Sequence, residues 1–128
     1  MIQVDPRDRT PIYAQLDRGV RAAIAAGRLK PGDQLPTVRQ LAVELRVNAN
    51  TVARVYSELE RAGVLETRRG VGSFVRATAL EARPPDEHAR RLKAFITDVL
   101  GEAGRKGFTL AEVIDELHSH RTEEEPDR

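Results

Sequence analysis

The chain has no cysteine, no tryptophan and one methionine, and aromatics make up only 4% of its 128 residues. Without cysteine there is no disulfide framework, no thiol chemistry and no cysteine-ligated metal. With so few rings, a core has to be built from Leu, Val, Ile and Ala. Long apolar runs are missing too, so no segment approaches the ~20 residues of a membrane-spanning helix. The first residues, MIQVDPRDR, lack the apolar stretch of a secretory signal. The expected compartment is therefore the cytoplasm, with no membrane partner. No Walker-type phosphate loop occurs: Arg69-Gly70-Val71-Gly72 precedes a β-like run, not a helix. Ser57 and Ser73 have no evident His partner, and His88 is isolated. His118 and His120 stand two apart, on different sides of a helix, so they cannot chelate as an i, i+4 pair would. No cofactor, no metal and no catalytic group is expected.

An excess of one charge is also lacking overall, with 21 Lys+Arg against 20 Asp+Glu. The balance hides an asymmetry. Residues 1–76 hold 13 basic and 8 acidic side chains, a net of +5. Residues 77–128 hold 8 basic and 12 acidic, a net of −4. A basic front half fits a polyanionic partner, although many soluble domains carry as much charge. The length allows one domain, or one small domain with an extension.

What is present centres on Leu35 to Val75. Thr37 and Gln40 form a capping box at a helix start. Val38, Leu41, Ala42 and Leu45 then line one face of a helix. Arg46-Val47-Asn48 is long enough only for a turn, with Asn48 as the next N-cap and Val47 and Val52 placed for a hydrophobic staple. Val52, Val55, Tyr56 and Leu59 make a second apolar stripe, which Gly63 closes. Two helices joined this tightly have helix-turn-helix spacing. Val64–Arg68 and Ser73–Arg76 then read as short strands around a glycine-rich turn, a hairpin in the position of a wing.

Here the chain resembles a known family. LKPGDQLPTVRQLA followed by VNANTVARVYSELERAGVLETRRGVGSFV is similar to the N-terminal DNA-binding domain of GntR-type bacterial transcription regulators. The NxNTVxRxYxxLExxG form on so short a chain looks like the YtrA subfamily. The match covers roughly residues 8 to 76. It implies a double-stranded DNA operator, a homodimer and control of a nearby transporter operon, often of the ATP-binding cassette kind. Segment 27–33 can supply a short strand to the wing in this family. Larger relatives carry an aminotransferase-like or effector domain, for which this chain has no room.

Elsewhere, Met1 to Arg9 reads as an arm. Thr10 is placed to cap a first helix with Pro11 at its first position. Ile12, Leu16, Val20 and Ile24 form its stripe, with Tyr13 and Ala23 beside them as core by default, and Gly27 ends it. Ala77 to Glu87 is a connector, and Pro85 or Asp86 starts another helix. Leu92, Phe95, Ile96, Val99 and Leu100 form its stripe, which Gly101, Gly104 and Gly107 are expected to break into a loop. Thr109 and Glu112 make a second capping box, with Phe108 and Val113 as its staple. Leu110, Val113, Ile114 and Leu117 form the last stripe, and a charged tail runs from Thr122. Two short amphipathic helices cannot bury much alone. Their stripes are assigned to dimerisation; the competing arrangement folds them back on their own front domain.

The expected fold class is mainly α with a small β wing: a winged helix-turn-helix over 1–76 and a two-helix dimerisation extension over 77–128. In such a fold the start of the second helix reaches base edges. That places Ala49, Asn50 and Thr51 in the major groove, with Arg54 one turn on. Asn bonds adenine and Arg bonds guanine in two places each. Arg68 and Arg69 at the wing tip meet phosphate. Arg39 clamps backbone or reaches inward. The resemblance matches Arg39, Asn50, Thr51 and Gly70 to family contact positions. At Ala49 it departs from the Arg or Pro of relatives, which leaves the base code open. Arg54 and Arg61, taken singly, also fit a solvated helix face, and Glu58 and Glu60 suit the side away from phosphate. Two functions follow: a dimeric, sequence-specific regulator, most simply a repressor on a palindromic operator, or a winged-helix protein-interaction module with no operator. Any small-molecule effector has its natural place between the C-terminal helices of a dimer.

Overall fold

A computed structural model describes residues 2–77 and 85–121. Most of the expected connector (78–84) and the tail (122–128) lie outside the described residues. The chain divides into two compact units, Met1–Leu80 and Glu81–Arg128.

The first unit holds three helices and a hairpin: α1 (Ile12–Ala25), α2 (Val38–Leu45), α3 (Ala49–Arg61), β1 (Leu65–Arg68) and β2 (Gly72–Val75). α2 begins at the capping box read from the sequence. Thr37 Oγ1 accepts from the Gln40 N–H at 3.0 Å, and Gln40 Oε1 accepts from the Thr37 N–H at 2.8 Å. Asn48 caps α3 by accepting from the Asn50 N–H at 2.7 Å. The turn between them is closed by Arg46 in the left-handed region (φ 59°). This is a rare place for a side chain and costs about 1–2 kcal/mol. It is held because the Arg46 and Val47 N–H groups bond back to the last turn of α2.

α3 packs against α1, α2 and β1. Val52, Val55, Tyr56 and Leu59 are its buried stripe, meeting Leu16, Val20 and Ile24 of α1 and Leu41 and Ala42 of α2 in one apolar cluster. The Tyr56 hydroxyl donates to the Pro36 carbonyl at 2.7 Å. This ties the middle of α3 to the residue just before the α2 cap. Burial, with Glu44 as a lesser cause, pushes the Tyr56 phenol up to about 12.

β1 and β2 pair antiparallel from Leu65↔Val75 to Arg68↔Gly72. The wing turn is closed by the Val71 N–H on Arg68 O at 2.9 Å, with Gly70 at φ 76°. That positive φ at the third turn position is what a type II turn requires. Residues 32–35 run along the outer edge of β2. Gly32 and Leu35 donate to Val75 O and Ser73 O, and Val75 donates to Asp33 O, all at 2.8 Å. The Gln34↔Phe74 bridge lies among them. The strand expected from 27–33 does not form as such; the edge lies at 32–35, with one isolated bridge at Gln34.

Three expectations for this unit change. The N-terminal stretch is no free arm: Ile2 is buried, and Val4 packs on the core. Ile2 packs over Gly19 in the middle of α1, where a Cβ would lie 3.0 Å from its Cγ2. Pro11, not Thr10, occupies the cap of α1, without a side-chain cap bond. The Thr10 N–H is instead taken by Asp8 at 2.9 Å. Tyr13 is exposed, because the stripe of α1 turns past it toward Leu16 and Val20.

The second unit is a helical hairpin, α4 (Pro85–Lys106) and α5 (Leu110–Ser119). The expected glycine break at 101 and 104 does not occur; both lie inside α4. A helical Gly costs about 1 kcal/mol relative to Ala, but the intervening Glu102, Ala103, Arg105 and Lys106 restore the propensity. Glu102 pairs with both Arg105 and Lys106, and those two cations sit at the helix's negative end. Gly107 (φ 85°) ends the helix. Ala103 is buried, and its carbonyl takes the Phe108 N–H at 2.8 Å. Thr109 and Glu112 form the expected capping box of α5.

Tyr56→Phe should cost ~1 kcal/mol at neutral pH by leaving the Pro36 carbonyl unpaired. The tyrosine's ionisation should show as well. Its pKa is raised from 10.0 to about 12 on folding. The wild type therefore keeps this contribution below pH 10 and loses it as pH climbs toward 12. Denaturant titrations of both proteins across that window should show the gap narrowing with pH; a constant gap would remove the buried phenol as its source.

Candidate nucleic-acid interface

Burying Val52, Val55, Tyr56 and Leu59 fixes which way α3 faces. Ala49, Asn50, Ala53 and Arg54 are left exposed, and Thr51 half-buried. The Asn50 main chain is held by the Asn48 cap, so its side chain starts from a fixed origin at the helix N-terminus. Thr51 borders a cleft that also touches Val4, Pro6, Ile12, Leu45, Arg46, Val47 and Asn48. Arg39, second residue of α2, is exposed, and no described residue bonds its guanidinium.

Arg54 is not a loose cation. Its Nε bonds Glu58 Oε2 at 3.2 Å, one turn along α3. Its guanidinium lies 4.3 Å over the Tyr13 ring. Cation–π contact at an exposed site is worth ~0.5–1 kcal/mol, and an exposed i, i+4 pair ~0.3–0.5 kcal/mol. Together they restrict the side chain's rotamers. Glu58 therefore serves as a hold on Arg54, a role beyond lying on the side away from phosphate. Spacing alone places Tyr13 in the core, and only packing reveals its pairing with Arg54.

The wing arginines differ from one another. Arg68 stacks 4.1 Å over the Phe74 ring and pairs with Glu66 at 3.3 Å. Arg69 sits in the turn itself, exposed, with no described residue bonding its side chain. Gly70 is exposed, with open space where a side chain would stand. The tip is held from below by a residue that sequence reasoning passed over: Gln34 Nε2 donates to Val71 O at 3.0 Å. A Cβ on Gly72 would lie 2.6 Å from that nitrogen, and Gly72 has φ 142°. The positive φ favours glycine there, and a Cβ would also push the Gln34 amide off Val71 O. Among the described residues no His, Asp or Glu group is arranged to hold a metal, and no helix is long and apolar enough to cross a membrane.

The C-terminal stripes stand exposed. Leu92, Phe95, Ile96 and Leu100 on α4, and Leu110, Ile114 and Leu117 on α5, all show more than a third of their surface, while Val99 and Val113 are half-buried. Phe108, Val113 and Leu117 share a hollow with Glu112, Glu116 and His120.

A family model for bacterial regulatory proteins of the gntR family matches residues 12–75. The HTH-type transcriptional repressor YtrA of Bacillus subtilis is 48% identical over 79 residues, 62% of this chain and 61% of that protein. The chain thus spans less than two thirds of YtrA's length. The regulator YhcF of the same organism is 46% identical over 82% of this chain and 85% of its own. Among solved structures, a GntR family transcriptional regulator from Listeria monocytogenes aligns over 91% of this chain and 98% of its own, with TM-score 0.59 and 28% identity. The DNA-binding domain of AraR in complex with operator ORX1 aligns over 56% of this chain and 89% of its own, with TM-score 0.51 and 27% identity. The helix-turn-helix and the braced wing are thereby accounted for together: the chain belongs to the gntR family of bacterial regulatory proteins and is a DNA-binding transcriptional regulator.

Proposed function

We propose that this regulator is a repressor that binds a palindromic operator as a homodimer joined through α4 and α5. One observation carries the DNA half of the reading. The inner face of α3 is wholly committed to the core, which leaves its capped N-terminal end, with Asn50 and Thr51, as a rigid outward-facing edge. In a helix-turn-helix such an edge enters the major groove, while the wing and α2 supply phosphate contacts. Arg39 and Arg69 suit that second role, since neither is engaged within the described chain. The complex of AraR with its operator and the name of YtrA as a repressor support the same assignment. A transporter operon as the target rests on the YtrA-like sequence pattern alone.

The dimer half rests on α4 and α5. Leu92, Phe95, Leu110 and Leu117 are 52%, 60%, 56% and 60% exposed. So many exposed large apolar side chains on two short helices support an interaction site there. Burying each such side chain is worth about 1.5–3 kcal/mol, so a few from each chain can hold two chains together. Two linked half-site contacts then gain roughly 10²–10⁴ in avidity. The alternative of a protein-interaction module without an operator is separated by a gel shift on the promoter of its own operon, where that alternative yields no complex.

Asn50→Ala should weaken the specific complex by ~1–3 kcal/mol and affect random DNA much less, because base contacts specify and phosphate contacts position. Equal losses on both duplexes would reduce Asn50 to a backbone or capping role. Arg69→Ala should weaken all duplexes alike and make the log–log salt dependence shallower by about one. Arg68→Ala should do less, since Phe74 and Glu66 already share that guanidinium.

Phe95→Asp with Val99→Asp should turn a sedimenting dimer into a monomer at micromolar concentration. Operator affinity should fall by orders of magnitude with helical content retained. A wild-type monomer that still binds its operator tightly would end the dimer assignment.

A further inference from the structure

The N-terminal segment is a built feature, and the contacts described so far leave it without a role. Ile2 anchors it in the core beneath Gly19. Gln15, on α1, clips the following turn three times. Its Oε1 accepts from the Asp5 N–H at 2.7 Å, and its Nε2 donates to Asp5 O at 3.0 Å and to Thr10 O at 2.9 Å. Two aspartates fold inward on the same turn. Asp5 Oδ1 takes the Arg7 N–H, and Asp8 Oδ1 takes the Thr10 N–H, each at 2.9 Å. The Thr10 bonds hold the Asp8 carboxyl below its ordinary value, with Arg18 a lesser cause. The carboxylates are thus used on the backbone. The two arginines of the turn, Arg7 and Arg9, are exposed, and no described residue bonds either guanidinium.

The turn's place in the fold gives these arginines a target. Val4 and Pro6 line one wall of a cleft of about 450 Å³ whose other wall includes Asn48 and Thr51. The segment therefore runs alongside the N-terminus of α3, the end that carries Asn50. A surface beside a major-groove reading helix meets the sugar–phosphate backbone flanking the groove. Residues 5–10 are pinned by these five bonds and by the Asp8 N–H on Asp5 O at 3.1 Å, so an arginine there gives up less freedom on binding than one on a loose tail. Net charge does not make this patch, since two aspartates balance two arginines. What matters is that guanidinium groups face outward and can grip phosphate oxygens bidentately.

We propose that Arg7 and Arg9 grip DNA phosphates beside the groove read by α3, with Gln15 as the positioning residue that holds their turn in place. This rests on the reading of α3 as the DNA-reading helix.

The test uses the full chain with two labelled duplexes, one from the region upstream of its own gene and one of random sequence. Binding is measured by fluorescence anisotropy across a salt series. Arg7→Ala with Arg9→Ala should bind both duplexes roughly tenfold more weakly, with a salt dependence shallower by about two. Thermal melting should be unchanged, since both side chains are exposed. Arg7→Lys with Arg9→Lys should recover the slope and only part of the affinity, because Lys holds phosphate as a point charge. Gln15→Leu, which keeps every charge, should weaken both duplexes through the unpinned turn. Unchanged affinity and slope in the double alanine variant would overturn the proposal. So would a loss confined to the upstream duplex at unchanged slope. Arg69→Ala separates the two readings. If it weakens binding and the N-terminal double variant does not, only this assignment falls. If the wild type binds neither duplex, the DNA-reading role of α3 falls and takes this assignment with it.

Discussion

Everything in the first unit depends on α3 serving two environments at once. Its stripe of Val52, Val55, Tyr56 and Leu59 is sealed against α1, α2 and β1. Its opposite side is left to solvent. Apolar burial is non-directional, so by itself it would tolerate some rotation of the helix. Three directional contacts remove that freedom. The Asn48 cap holds one end, the Tyr56–Pro36 bond fixes the middle, and the Schellman-like closure at Arg46 sets the angle from α2. A helix located this way holds the Asn50 end in one orientation relative to the core.

The loops around α3 are positioned by polar side chains acting as struts. Gln34 reaches up to the wing tip, and Gln15 reaches out to the N-terminal turn. Each satisfies backbone groups that a loop would otherwise leave to water. Tyr13 and Glu58 do the same for a side chain, holding Arg54. The common physical effect is to restrict the conformations open to each loop and to the Arg54 side chain. None of these struts lies in the apolar core, and none of them need be strong to matter, because each restrains only one loop or one side chain.

The second unit follows different rules. Its two helices share little interior, with Ala103 the one hydrophobic residue buried among the described residues of that unit. Most of its large apolar side chains remain exposed. Helix formation there draws on local terms: acidic residues at the start of α4, basic ones at its end, and a complete capping box on α5. Those terms carried α4 through two glycines that periodicity alone treats as breaks.

Local grammar was legible in the chain. The capping boxes at Thr37 and Thr109, the Asn48 cap, the apolar period of α2 and α3 and the glycine turn of the wing all involve partners within a few residues, so residue type and spacing determine them. The helix-turn-helix, its wing and the outward position of Asn50 followed from those signals. What only the tertiary structure decided were pairings across long separations. Gln15 meets Asp5 ten residues away, Tyr56 meets Pro36 at twenty, and Gln34 meets Val71 at thirty-seven. Ile2 left its supposed arm for the core, and Tyr13 left its supposed core for Arg54. A glutamine or tyrosine accepts many partners of similar energy. Which one it meets depends on where the packed helices bring the backbone, and that information lies in the whole set of buried contacts, beyond any short stretch of the chain.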